Sequence, residues 1–191
     1  MKKFLLALTL ALTALTASAA SNDYYVEAKY GVINLKGAGL DATSQLGMIA
    51  AGVNVTDIWA LEATAGKSIA SGDGCIISQD CGVSTTDPKY HGTKYHMDVP
   101  YTFGLFIKGN YEVTDNLKLF GRVGMLHAKL RVDAPSLRIS ASDSDTGFAY
   151  GVGAQYDVTN KVYATVDYMD YSNVSKNLDA SGPSIGVGYK F

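Results

Sequence analysis

The sequence predicts an all-β chain: an eight-stranded antiparallel up-and-down β-barrel that crosses a membrane. Three observations predict it. Runs of period-two alternation fill most of the chain beyond the first twenty residues. Three short turn phrases of similar sequence alternate with four long polar stretches. The continuous face of the runs is apolar and aromatic-tipped, while glycine, threonine and charged residues share the other face. A soluble barrel would place its bulky side chains inside and its charges outside, so this arrangement suits lipid contact.

Composition agrees. Twenty glycines, thirteen tyrosines and four prolines among 191 residues favour strands over helices. Met1 to Ala20 stands apart: Lys2 and Lys3, an apolar stretch from Phe4 to Leu15, then Ala17-Ser18-Ala19-Ala20. That is the plan of a secretory signal peptide, too short for a membrane-spanning helix. Cleavage is placed after Ala20, with Ala19 the neighbouring choice, leaving 21–191 as one barrel domain. Loss of the two lysines takes the formal charge from −2 to −4. Mild acidity argues against nucleic acid, which calls for a basic face.

In chain order, the first strand sets Tyr24, Val26, Ala28, Tyr30 and Val32 against Glu27, Lys29 and Gly31. The second opposes Gly47, Ile49, Ala51 and Val53 to Met48, Ala50, Gly52 and Asn54, and ends at the turn Val55-Thr56-Asp57-Ile58. The third carries Trp59, Leu61, Ala63 and Ala65 outward, with Glu62, Thr64 and Gly66 inward. The fourth alternates most clearly, Val99, Tyr101, Phe103, Leu105, Ile107, Tyr111 and Val113 lying opposite Thr102, Gly104, Lys108, Asn110 and Glu112. Its turn is Val113-Thr114-Asp115-Asn116-Leu117. The fifth starts with Leu117, Leu119, Val123 and Met125 outward against Lys118 and Arg122. Beyond Met125 its parity reverses, which predicts either a bulge or departure from the bilayer. The sixth sets Phe148, Tyr150, Val152, Ala154, Tyr156 and Val158 against Gly151, Gly153, Gln155 and Asp157, and turns at Val158-Thr159-Asn160-Lys161-Val162. The seventh opposes Val162, Ala164, Val166 and Tyr168 to Thr165 and Asp167. The last opposes Ile185, Val187, Tyr189 and Phe191 to Gly186, Gly188 and Lys190. Thr, Asn and Asp suit tight turns because their side chains bond locally to the backbone. The long polar connections are Lys36–Gln45, Lys67–Met97, Arg131–Asp145 and Ser172–Gly182.

The inward set carries charges of both signs. Lys29, Lys108, Lys118, Arg122 and Lys190 face Glu27, Glu62, Glu112, Asp157 and Asp167. An eight-stranded lumen is just wide enough for side chains to fill, so charges within it must pair. The expected core of this network is Glu27, Lys29, Glu62, Lys108, Arg122 and Asp167; Glu112, Lys118 and Asp157 lie near turns, where water can reach them. Aromatics near strand ends, Trp59, Tyr111 and Tyr156 among them, suit interfacial girdles.

Cys75 and Cys81 are the only cysteines, and export carries them into an oxidising compartment. A disulfide closing a small loop is expected. A zinc site with His91 and His96 is the competing reading, although neither spacing nor context matches the usual patterns. No metal and no cofactor is expected.

The chain closes on Gly186-Val187-Gly188-Tyr189-Lys190-Phe191. This looks like the terminal assembly signal of outer-membrane barrels, a final Phe with an aromatic two residues before it. With the signal peptide and the three turns, the chain resembles the small OmpA/OmpX-type outer-membrane β-barrel family over nearly all of its mature length. The resemblance implies a bacterial outer-membrane location and biogenesis through the barrel-assembly machinery, read through Tyr189 and Phe191. It implies contact with outer-membrane lipid and lipopolysaccharide, an external ligand at the surface loops, and a monomer. Since the chain stops at Phe191, the peptidoglycan-binding domain that follows some such barrels is not expected. Barrels of this class that deacylate lipid A use a His and a Ser two positions apart on one face. Here His127 is followed by Ala128 and Lys129, and His91 by Gly92 and Thr93, so no catalysis is expected. The family implies a structural or surface-interaction role in envelope integrity, adhesion or host contact. The alternative is a narrow, low-conductance pore opened by rearranging lumen pairs.

Overall fold

Alternating β-branched, aromatic and small polar residues give each strand two unlike faces. A closed sheet accommodates both, one against lipid and one packed in the lumen. The computed structural model describes residues 24–37, 40–70, 72–76, 93–134, 139–171 and 179–191. They form β1 (Tyr24–Gly37), β2 (Leu40–Asn54), β3 (Trp59–Ala70), β4 (Gly72–Ile76), β5 (Thr93–Thr114), β6 (Leu117–Ala134), β7 (Ile139–Asp157), β8 (Val162–Asp170) and β9 (Asp179–Lys190). Consecutive strands pair antiparallel except that β3 and β4 both pair with β5, and β1 pairs with β9. β4 continues the stave of β3. Trp59–Gly66 run against Gly109–Thr102 of β5, and Gly72–Ile76 run against Met97–Thr93 of the same strand. The result is a closed eight-stranded antiparallel barrel. Closure pairs the sheet's two edge strands, which matters in hydrocarbon, where each free backbone group would cost several kcal/mol.

The threonine of each short phrase makes its turn. Thr56 Oγ1 accepts from the Ile58 and Trp59 amides at 3.3 and 2.9 Å, and Thr114 Oγ1 from the Leu117 amide at 3.1 Å. Thr159 Oγ1 accepts from the Lys161 and Val162 amides at 3.2 and 2.9 Å. Short turns lie at the periplasmic end of such barrels, which places the other ends of the strands outside the cell.

Outward residues are open in the way lipid contact requires: Phe103 is 58% exposed, Leu105 60%, Val152 68% and Val187 60%. Aromatics ring both ends of this band, with Trp59, Tyr111, Tyr156, Tyr189 and Phe191 below and Tyr30, Tyr101, Tyr150 and Tyr168 above.

The strands outrun the membrane. Most of Lys36–Gln45 and Arg131–Asp145, expected as connections, is paired strand. β6 pairs with β7 without a break from Leu117 to Ala134, so no bulge explains the reversal after Met125. The backbone parity holds and the surroundings change. Above Met125, polar His127, Lys129 and Arg131 face outward, while Leu126, Ala128 and Leu130 point into the barrel. Val99, expected on the lipid face, is a second correction. The register with β6 shifts between Asp98 and Tyr101, and Val99 turns inward and is buried. Pro100 sits at this bulge, where its missing N–H costs the ladder nothing.

Candidate functional site

The lumen has three storeys. At the periplasmic end is a polar vestibule of about 480 Å³ lined by Asn54, Asn110, Glu112, Lys118 and Lys190, with Tyr25, Lys108, Gln155 and Tyr163 at its inner end. Lys118 pairs with Glu112, and Lys190 with Asp157 at 2.7 Å. At the other end Ile33, Leu35, Leu46, Val99, Phe106, Leu126, Met169 and Tyr171 pack into an apolar cluster around a cavity of about 70 Å³. Between them lies the ionic layer.

The six residues expected there come from five strands: Glu27 and Lys29 on β1, Glu62 on β3, Lys108 on β5, Arg122 on β6 and Asp167 on β8. All are between 1% and 7% exposed. Lys29 bonds to Asp167 and lies 3.9 Å from Glu27. Arg122 reaches Glu62 at 3.0 Å and Asp167 at 3.4 Å. Lys108 takes another solution. Its Nζ donates to Gln155 Oε1 at 3.4 Å and sits 4.3 Å from the Phe120 ring centre and 5.2 Å from that of Tyr25. Three buried anions thus balance three buried cations, which is the condition under which charges survive out of water.

Neutral groups complete the layer. Thr165 donates to Glu27 Oε1 at 2.6 Å, Tyr163 to Glu27 Oε2 at 3.4 Å, Tyr25 to Glu62 Oε2 at 3.0 Å, and Ser184 to Asp167. Small neighbours make room. Across the ladder Glu27 stands beside Gly188, Lys29 beside Gly186, Glu62 beside Gly52, Arg122 beside Gly151 and Asp167 beside Gly153. Tyr25, Tyr163, Phe106 and Phe120 are the lumen residues that the charge-led reading passed over. The signal was in the parity, since Tyr25 falls in phase with Glu27 and Tyr163 with Asp167.

The other expected sites lie elsewhere. Tyr189 and Phe191 face lipid with ring centres 5.3 Å apart, and the Phe191 amide donates to the Tyr24 carbonyl at 2.9 Å. The Cys75 backbone pairs with Lys94 in β4–β5, whereas Cys81 and His91 lie outside the described residues, as does the segment 1–20. His96 is exposed opposite Asp133. His127 faces outward with Nδ1 2.8 Å from Thr146 Oγ1.

The architecture matches known proteins. Outer membrane protein X of Enterobacter cloacae is 30% identical over 90 residues, covering 47% of this chain and 51% of that protein. The virulence membrane protein PagC of Salmonella typhimurium is 30% identical over 107 residues, covering 52% and 57%. The chain thus spans a little over half the length of these relatives. Among solved structures, Ail of Yersinia pestis, the attachment invasion locus protein in complex with the heparin analogue sucrose octasulfate, shares the fold with a TM-score of 0.59 at 14% identity. That match covers 90% of this chain and 99% of Ail. Neisserial surface protein A gives 0.61 at 15% identity, with the same coverage. Residues 4–191 match the family described as outer membrane protein beta-barrel domain, and the chain belongs to that family of bacterial outer-membrane barrels.

Proposed function

We propose that this protein is a non-enzymatic monomer whose sealed barrel anchors extracellular loops that serve envelope integrity or contact external partners. The observation that carries the reading is the filled lumen: a neutral ionic layer beneath an apolar cluster, with tyrosines at the vestibule's inner end. Water and ions need a continuous polar path, and the apolar storey interrupts one. The long strands then act as a pedestal that lifts the loops beyond the lipid. Ail was solved with a heparin analogue, which supports an external ligand for this architecture. Function in such proteins sits in loops carried by a rigid scaffold.

In the same reading residues 1–20 direct export, Tyr189 and Phe191 address the barrel to its assembly machinery, and a Cys75–Cys81 disulfide restrains the longest loop. Planar bilayers test the sealed lumen. Purified protein is expected to leave them silent. Steady stepwise conductance that survives dilution would replace the pedestal by the narrow-pore alternative.

A further inference from the structure

The apolar storey of the lumen is not completely filled. Its cavity of about 70 Å³ is lined at the lower end by Lys29, Thr64 and Arg122, where it meets the ionic layer. Arg122 is 4% exposed, and the Phe120 ring centre lies 4.8 Å from its Cζ, one inward step toward the periplasm. Its Nη1 stands 3.0 Å from Glu62. Among the described residues, however, Nε and Nη2 have no hydrogen-bond partner, although Asp167 is 3.4 Å from Nη2. A guanidinium holds its donors in a fixed fork, so the two cannot swing to a better acceptor. A buried donor left unmet is unfavourable, and an oxygen placed against it recovers the loss.

Above this polar floor the walls are hydrocarbon and adaptable. Met48 and Met169 line the cavity together with the small Ala50 and Ala128. A methionine has three rotatable side-chain bonds and a polarisable sulfur, so it adjusts to what it packs against. Leu130 and Ala180 are only partly buried, which makes the extracellular end of the cavity the accessible one, the ionic layer closing the other. An apolar cavity of about 150 Å³ takes benzene or xenon, and half that volume suits a molecule of about four non-hydrogen atoms. Water alone fits poorly, because it needs roughly two to four polar partners and the walls offer none. An anion would suit the donors but not the charge balance. Glu27, Glu62 and Asp167 already match Lys29, Lys108 and Arg122, and a further charge would sit unpaired beside Leu46, Phe106 and Leu126.

We propose that this cavity is a binding site for a small neutral molecule with an apolar body and one oxygen acceptor, such as a short ketone or alcohol. The molecule enters from the extracellular end, turns its oxygen to Nε and Nη2 of Arg122, and packs its carbons against Met48 and Met169. The site goes beyond the pedestal role. It uses lumen residues rather than loops, and it needs no path through the ionic layer, so a barrel that conducts nothing can still hold the ligand.

The test uses detergent-solubilised protein labelled at the methionine methyls and at arginine Nε, followed by nuclear magnetic resonance. Three probes of one planar shape are titrated: acetone, isobutene and acetate. Acetone should shift the Met48 and Met169 methyls and the Arg122 Nε–H together, saturating at roughly millimolar concentration, well inside the affinity ceiling for so small a ligand. Met125 faces lipid and is 50% exposed, so its methyl reports partition into detergent and should drift without saturating. Isobutene should move the two lumen methyls and leave the Arg122 signal in place, and acetate should move neither. Ala128→Leu fills the cavity and should weaken acetone binding about tenfold or more, with heat-modifiable gel mobility checking that the variant is folded. Should that variant fail to fold, the three probes on the parent protein decide alone. Lumen methyls that drift as Met125 does, an Arg122 signal unmoved by saturating acetone, or acetate binding as tightly as acetone would each overturn the proposal. So would a folded Ala128→Leu barrel that binds acetone as the parent does.

Discussion

At the scale of single residues, Asp167 is the hinge of the ionic layer. It holds Lys29, stands 3.4 Å from Arg122 and accepts from Ser184. A carboxylate so placed contributes little over a well-packed apolar substitute, because its desolvation offsets its attraction. Its removal alone is another matter. Asp167→Asn leaves three buried cations facing two anions, and breaking a buried pair in this way costs about 3–5 kcal/mol. Urea titration of the barrel refolded into lipid vesicles should show the midpoint fall accordingly. Glu112 pairs with Lys118 at the open vestibule, where water screens the pair. Glu112→Gln should therefore leave the midpoint where it is, and a fall as large as that of Asp167→Asn would show the vestibule to be far drier than its geometry implies.

At the scale of the strand, inward glycines are seats for side chains from neighbouring strands. Tyr25 lies over Gly52 and Tyr163 over Gly188, so a Cβ at either glycine would overlap the ring. The tyrosines can then lie flat across a narrow lumen, edge to face with centres 6.2 Å apart, and reach Glu62 and Glu27. Gly188→Ala should push Tyr163 off Glu27 and cost roughly 1–3 kcal/mol through overpacking. Gly121 is its control. It faces lipid, and a Cβ there would meet only the Gly151 carbonyl at 3.9 Å. Gly121→Ala should hold stability or raise it by up to about 1 kcal/mol, through the entropy of the unfolded chain. Equal losses at the two positions would show that backbone, not ring packing, is what the glycines serve. This level also marks how far the sequence could be read. The six lumen charges were legible because strand parity is local and strict. The ring seats were not, since Gly188 and Tyr163 meet only through the pairing of β8 with β9. Val99 was misplaced because a bulge at Pro100 shifts parity without changing the pattern of residue types.

At the scale of the molecule, one sheet changes its solvent partway along. Below Met125 it is an inside-out protein, with lipid outside and ions inside. Above it, polar residues face outward around an apolar core, as in a soluble barrel. From sequence alone this reversal on β6 is ambiguous, because a slip of register and a change of surroundings exchange the two faces identically. The unbroken pairing from Leu117 to Ala134 resolves it in favour of the surroundings. A lysine scan along the outward column of β6 should then read the membrane boundary as an energy profile. Val123→Lys, well inside the apolar band, is expected to cost roughly 2–4 kcal/mol, since hydrocarbon solvates the charge poorly. His127→Lys, two outward steps higher on the same face, should cost about 0–1 kcal/mol, with Met125→Lys between them. Inside the barrel the order runs the other way, for Leu126→Lys forces an unpaired charge into the apolar cluster and should destabilise as a buried ion does. Folding titrations in vesicles report both columns. An outward profile that stays flat from Val123 to His127 would mean that hydrocarbon does not end at Met125, and the two-solvent account of this barrel would fall with it.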